Sequence, residues 1–157
     1  MKILFLAAIF SLLGISKITS QTFFDDVIGK TWVGKGTIMK TPTEFKMNWS
    51  KTLDNQFLRL DFQNQMNTKN EKVIFSATAF YKVKCDSIIS GTWFDSQGNM
   101  YTLTGEFSNK KLTVNWGTLE KQVGKTVYEI NIKGKIEVND YVINNGKEVQ
   151  FGEATYK

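Results

Sequence analysis

Large aromatic and thioether side chains recur at every second position along several segments of this 157-residue chain. Phe45, Met47 and Trp49 alternate with polar residues, and the same spacing recurs around Trp93 and Tyr101. A period of two is typical of half-buried strands, so these side chains are expected to share one inward face. An interior lined by aromatic rings and a few hydroxyls suits a flat or elongated apolar ligand. The candidate ligand-binding residues of this kind are Trp32, Phe45, Met47, Trp49, Phe75, Trp93, Tyr101, Trp116 and Tyr128.

Arg59 is a further candidate ligand contact, and it is the one arginine among twenty basic residues. If it faces inward, its guanidinium needs a partner, because an unpaired buried charge costs on the order of several kcal/mol. Asp61, two residues along the same face, or a ligand carboxylate could be that partner. If Arg59 faces outward, it is expected to pair with a neighbouring strand in solvent.

The chain contains no histidine. This excludes the Ser-His-Asp and Cys-His nucleophile systems, and any zinc or haem site that needs an imidazole ligand. Several carboxylates lie in a turn or on the polar side of alternating segments, where they are expected to be exposed and ionised: Asp95, Glu106, Glu129 and Glu153. Exposed carboxylates are poor general acids at neutral pH. We therefore predict no catalytic residues, no metal site and no cofactor.

The first twenty residues have the pattern of a secretory signal peptide. Lys2 precedes an apolar run over residues 3–15, and small residues follow up to Ser20. The run is shorter than the roughly 18 residues that a membrane-spanning helix needs. The prediction is cleavage after Ser20 and a mature chain of residues 21–157 that is secreted or periplasmic and has no transmembrane segment.

Removal of Lys2 and Lys17 lowers the formal net charge from +5 to +3. The remaining basic residues are spread among acids, without the clustered Arg and Lys typical of a nucleic-acid reader. No nucleic-acid partner is therefore expected. Cys85 is the single cysteine. It cannot form an intramolecular disulfide, and a buried, inert thiol is predicted.

Turn residues divide the chain after Gly29 into short, evenly spaced segments, for example at Asp95–Gly98 and at Asn144–Gly146. About ten strands at a spacing of roughly 8 to 14 residues predict an all-β sandwich or barrel. A flat sheet would leave two exposed edges, whereas closure removes them, so an antiparallel up-and-down β-barrel is favoured. Before the strands, Thr22 can cap a short N-terminal helix whose first turn carries acidic residues.

Six motifs are spread along the mature chain: GKTWVGKG at 29–36, FLRL at 57–60, GTWFDSQG at 91–98, WGT at 116–118, GKTVY at 124–128 and FGEATY at 151–156. With these motifs the chain resembles the small lipocalin-like barrels related to nitrobindin, including a bacterial branch. The resemblance implies a barrel of about ten antiparallel strands with an interior pocket and a short helix near one end. Nitrobindin-type members hold haem through a histidine, so haem binding is not carried over to this chain.

Two functions remain open at this point. The first is a secreted protein that binds or carries a small hydrophobic molecule, which predicts an apolar cavity inside the barrel. The second is a non-enzymatic envelope or secreted interaction protein, which predicts a filled barrel core and an exposed apolar patch. Periodicity cannot decide between them, because it carries no information about interior volume.

Overall fold

A computed structural model describes residues 21–157 apart from 69, 70 and 86, and most of these residues lie in β-strands. One short helix, α1, covers Phe23–Val27. The strands are β1 (Thr31–Ile38), β2 (Thr41–Thr52), β3 (Phe57–Asn67), β4 (Lys72–Cys85), β5 (Ile88–Asp95), β6 (Met100–Phe107), β7 (Lys111–Gly117), β8 (Gln122–Ile130), β9 (Ile136–Asn144) and β10 (Lys147–Tyr156). The predicted signal peptide, residues 1–20, lies outside the described residues.

The ten strands form a closed barrel in which neighbours in sequence are neighbours in space. Every pairing is antiparallel, and the ring closes where β1 pairs with β10, from Gly34 opposite Tyr156 to Ile38 opposite Gly152. Closure leaves no strand edge free to pair with another chain. The prediction of an all-β, antiparallel up-and-down barrel of about ten strands with a short N-terminal helix is confirmed.

The turns after β5 and β9 lie at predicted turn residues, whereas several other hairpin turns were not predicted. Gly98 and Gly146 have positive φ angles, as their turns require. The turn between β1 and β2 consists of Met39 and Lys40, whose φ angles are 47° and 67°. A two-residue hairpin needs positive φ at both positions. Since neither residue belongs to the types that favour positive φ, no turn was predicted there.

Helix α1 closes one end of the barrel. The Asp25 carboxylate accepts hydrogen bonds from the backbone N–H and the hydroxyl of Thr22, at 2.7 and 2.8 Å. These bonds, the backbone one first, lower the pKa of Asp25. An ion pair of 2.8 Å between Asp26 and Lys110 ties the helix to the β6–β7 turn. No helix among the described residues has both the length and the apolarity needed to cross a membrane.

The closed half of the barrel is solidly packed. Phe23 is fully buried and meets the Trp49 ring edge-on, with 6.1 Å between the ring centroids. Trp49 also contacts the rings of Tyr81 and Tyr128 at 5.6 and 5.9 Å, and Phe23 contacts Tyr128 directly at 6.1 Å. Such pairs contribute about 0.5–1.5 kcal/mol each beyond their buried area. The helix is therefore packed directly against the core.

Cys85 is exposed, so the prediction of a buried thiol is wrong. Residues 82–85 are all exposed, because the end of β4 extends beyond the packed interior after the buried Tyr81. A register shift between Val83 and Cys85 accompanies this change.

The pairing of β1 with β10 that closes the barrel, here called the seam, requires a glycine, Gly36. A Cβ atom at this position would collide with the backbone carbonyl of Glu153 and with Cα of Ala154. Gly36→Ala is expected to lower the free energy of unfolding by about 1–3 kcal/mol, the usual cost of overpacking. Urea unfolding measures this change, with Lys35→Ala on the exposed face of the same strand as control. Equal stability of the two variants would contradict a tightly packed seam.

Candidate functional site: the barrel cavity

A cavity of about 600 Å³ occupies the half of the barrel away from α1. Exposed residues at the ends of β4 and β5 line its outer part, so it is open to solvent at this end. The interior is thus filled in one half and hollow in the other. Six of the predicted ligand-binding residues line the cavity: Phe45, Phe75, Trp93, Tyr101, Trp116 and Tyr128.

One wall of the cavity is an array of aromatic rings. Phe75 and Trp93 are stacked with 6.4 Å between their ring centroids, and Phe62 contacts them at 6.3 and 5.9 Å respectively. Phe45 continues the array from Phe62 to Tyr156, at 6.3 and 6.0 Å. Strands β2 to β5 position these side chains, because their inward residues lie opposite one another in the register, as Asn64 does between Phe45 and Phe75. The wall offers a broad apolar surface to a bound molecule.

Three of the predicted ligand-binding residues lie in the packed half and do not line the cavity. Met47 and Trp49 are buried under α1. Trp32 is buried beside them, and its indole N–H donates a hydrogen bond of 3.1 Å to the carbonyl oxygen of Val27. All three face inward, as the alternation predicts. They lie nearer to α1 along the barrel axis than the cavity does. Alternation carries no information about this position along the axis.

Arg59 does not line the cavity, so of its two expected orientations the structure has the outward one. Its side chain is 44% exposed on the outer face of β3, because the inward positions of this strand are taken by Leu58 and Leu60. The guanidinium donates to Oδ1 of Asp61 at 2.8 and 3.0 Å. It also lies 5.9 Å from the centre of the Phe80 ring. An exposed pair of this kind contributes about 1 kcal/mol at most.

The cavity contains a carboxylate, Asp140 on β9, that the sequence analysis did not identify. Its Oδ1 accepts a hydrogen bond of 2.6 Å from the Thr126 hydroxyl on β8. Its Oδ2 lies over Gly152 of β10, where a Cβ would come within 3.1 Å of it. Burial raises the pKa of Asp140, and the Thr126 hydrogen bond offsets only part of this effect.

Three tyrosines form a polar group with Asp140. Burial raises the pKa values of Tyr81, Tyr128 and Tyr156 well above the usual range, so all three hydroxyls stay neutral. The charge of Asp140 further raises the pKa of Tyr128 and of Tyr156. All four residues line the cavity. Neutral hydroxyls beside a carboxylate can both donate and accept hydrogen bonds.

Two more polar residues line the cavity, and they differ in how they are satisfied. Asn64 is only 5% exposed, and its Oδ1 has no hydrogen-bond partner among the described residues. Asp95 is fully engaged in the β5–β6 turn, where it accepts bonds from Gln97, Asn99 and Trp93. Burial raises the pKa of Asp95, but the bonds from Asn99 and Gln97 outweigh it and lower the pKa overall. The Asn64 oxygen is itself buried, so it is not open to a ligand in the cavity.

Charge inside the cavity has one sign. Of the described residues that line it, none is Lys or Arg, and the carboxylates are Asp95 and Asp140. No three Cys, Asp or Glu side chains in the described part of the chain are grouped as a metal site. The inward positions of Asp140 and Asn64 could have been recognised from the sequence. Each is a polar residue in the apolar phase of an alternating strand, Asp140 after Val138 and Asn64 after Phe62.

A comparison of the chain with protein-family models finds no match, and a comparison with curated proteins finds no relative.

The stability of the protein is expected to depend on the ionisation of Asp140. Because the folded-state pKa of Asp140 lies above its ordinary value of 3.8, the folded protein holds this proton more tightly than the unfolded chain does. Stability therefore falls as pH rises through the folded-state pKa, and the cost of the buried charge persists at higher pH. Asp140→Asn removes that cost and can keep the Thr126 hydrogen bond.

Urea unfolding of wild type and Asp140→Asn tests this at about pH 8 and about pH 3.5. The variant is expected to be the more stable protein at the higher pH and to lose this advantage at the lower pH. Asp61→Asn, on the outer face, controls for the loss of one negative charge. A stability difference that is the same at both pH values would show that Asp140 is not desolvated.

Proposed function

We propose that this protein binds a small, largely apolar molecule inside its barrel and acts as a carrier or sensor. The observation that carries the proposal is the cavity of about 600 Å³ with its aromatic wall. Sites for small organic ligands have volumes of about 300–1,000 Å³ and are mainly apolar with a few polar groups. The alternative function, a barrel with a filled core that acts through its surface, does not account for a hollow half-barrel.

Exposed apolar side chains lie at the open end, a feature that the alternative function also predicts. Met39, Ile74, Met100 and Leu119 are all more than half exposed. They lie in or next to four different hairpin turns at the end opposite α1. An apolar rim favours the approach of an apolar molecule to the cavity mouth.

We propose binding rather than catalysis. A pair of carboxylates that acts as acid and base in the cavity would have to be Asp140 and Asp95, the carboxylates among the described residues that line it. Both oxygens of Asp95 already accept hydrogen bonds within the turn. Asp95 thus has a structural role that explains its position, and Asp140 is left without a second carboxylate to work with.

The lipocalin-like family assignment is part of the same proposal. A ring of ten antiparallel strands, a short helix across one end and an interior pocket are the features that the resemblance implies. We also propose that the protein acts outside the cytoplasm, in the periplasm or the medium. That part is supported by the apolar run after Lys2.

An apolar fluorescent probe is expected to bind in the cavity. The neutral probe N-phenyl-1-naphthylamine should give a saturable rise in fluorescence with one site per barrel. Trp93→Leu should weaken binding about fivefold, because it removes an aromatic contact of about 1 kcal/mol. Phe94→Leu is the matched control, since Phe94 is the next residue and faces outward. Absence of saturable binding, or equal weakening by both variants, would contradict the cavity as the binding site.

The export proposal is tested by the mass of the protein isolated from its own host. Cleavage after Ser20 should leave Gln21 as the first residue, in free or cyclised form. Intact mass spectrometry distinguishes this product from the full chain. A protein that retains residues 1–20 would contradict export by a cleaved signal.

A further inference from the structure

The polar part of the cavity has a composition that selects among apolar ligands. It contains the Asp140 carboxylate and the hydroxyls of Tyr81, Tyr128 and Tyr156. No Lys or Arg is present among the described residues that line it. An ionised carboxylate only accepts hydrogen bonds, and the one bond to Asp140 from the described residues goes to Oδ1, so a ligand group that binds Asp140 has to be a hydrogen-bond donor.

We propose that the ligand is a small amphiphilic amine whose ammonium group binds at Asp140, with its apolar part against the wall of Phe62, Phe75 and Trp93. This inference rests on the proposed function and names the chemical class of its ligand. The structure disfavours a carboxylate ligand, because its charge would be brought to Asp140 while the single arginine, Arg59, lies on the outer face.

Asp140 favours an ammonium ligand for two reasons, namely its missing counter-ion and its capacity to accept more hydrogen bonds. The carboxylate is half-buried and accepts one hydrogen bond, from Thr126, and a partly desolvated charge without a counter-ion is costly. An ammonium group supplies the missing opposite charge and three donors. The titratable groups that face Asp140 are Tyr128 and Tyr156, which stay neutral, so no resident cation competes for it.

The aromatic wall is compatible with a cation as well as with an apolar group. The faces of Trp and Phe attract ammonium groups by about 0.5–2 kcal/mol within roughly 6 Å of the ring centre. An amine whose ammonium group binds Asp140 on β9 can therefore place its apolar part against the rings of β3, β4 and β5, across the barrel.

The test uses three probes with the same ring system and different polar ends: 2-(1-naphthyl)ethylamine, 2-(1-naphthyl)ethanol and 1-naphthylacetate. Their affinities are measured by calorimetry and by displacement of N-phenyl-1-naphthylamine at about pH 7.5. The amine is expected to bind about tenfold tighter than the alcohol, and the carboxylate weaker than both. Asp140→Asn should abolish the preference, so that the ratio of amine affinity to alcohol affinity falls to about one. Asp61→Asn, which removes an outer-face carboxylate, should keep the preference.

The pH dependence provides a readout that does not depend on any variant. Amine binding by the wild-type protein should weaken as pH falls and Asp140 takes up a proton, whereas alcohol binding should stay constant. Equal affinity of amine and alcohol, tighter binding of the carboxylate, or an amine preference that survives in Asp140→Asn would overturn this inference. If N-phenyl-1-naphthylamine still binds in those cases, the proposed function stands. If no probe binds, the proposed function fails and this inference fails with it.

Discussion

Closure of the ladder between β1 and β10 is the constraint on which the rest of the structure depends. Once ten strands form a ring, the interior is wider than that of the eight-stranded barrels that hold one small ligand. Side chains from the wall cannot fill such a space alone. In the half near α1 the helix contributes Phe23, Phe24 and Val27, and the core is complete. The other half has no such insert, and it is hollow.

Close packing of the half near α1 fixes the shape of the cavity in the other half. Trp49 contacts Phe23 of α1 and the rings of Tyr81 and Tyr128, and Phe23 also contacts Tyr128. These two tyrosines also line the cavity, so the packed core fixes the positions of their hydroxyls. Ordered hydroxyls lower the entropy lost when a ligand is bound, because these binding groups are already in place.

Two carboxylates, one on the outer and one on the inner face of the barrel, show how position decides the role of a charge. Asp61 on the outer face accepts bonds from Arg59 and Thr78 in contact with solvent, where such a pair adds little to stability. Asp140 on the inner face has a single hydroxyl donor, and burial raises its pKa. The inner charge costs stability in the free protein, and this cost is what a positively charged ligand would offset.

The fold was largely predictable from the sequence because its signals are local. Alternation with period two identifies which side chains share a face, and turn residues mark where strands end. The β1–β2 turn escaped prediction since Met39 and Lys40 reach positive φ only because the two paired strands hold them there. The outward orientation of Arg59 was also predictable, because Leu58 and Leu60 take the inward positions of β3.

The sequence by itself determined the strands, their order around the ring and which side chains face inward, because each of these follows from residues close together in the chain. Only the tertiary structure decided how deep each inward side chain lies. Trp49 and Trp93 have the same local pattern, yet one is packed under α1 and the other lines the cavity. Likewise, the polar group around Asp140 combines β4, β8, β9 and β10, which come together only when the barrel closes.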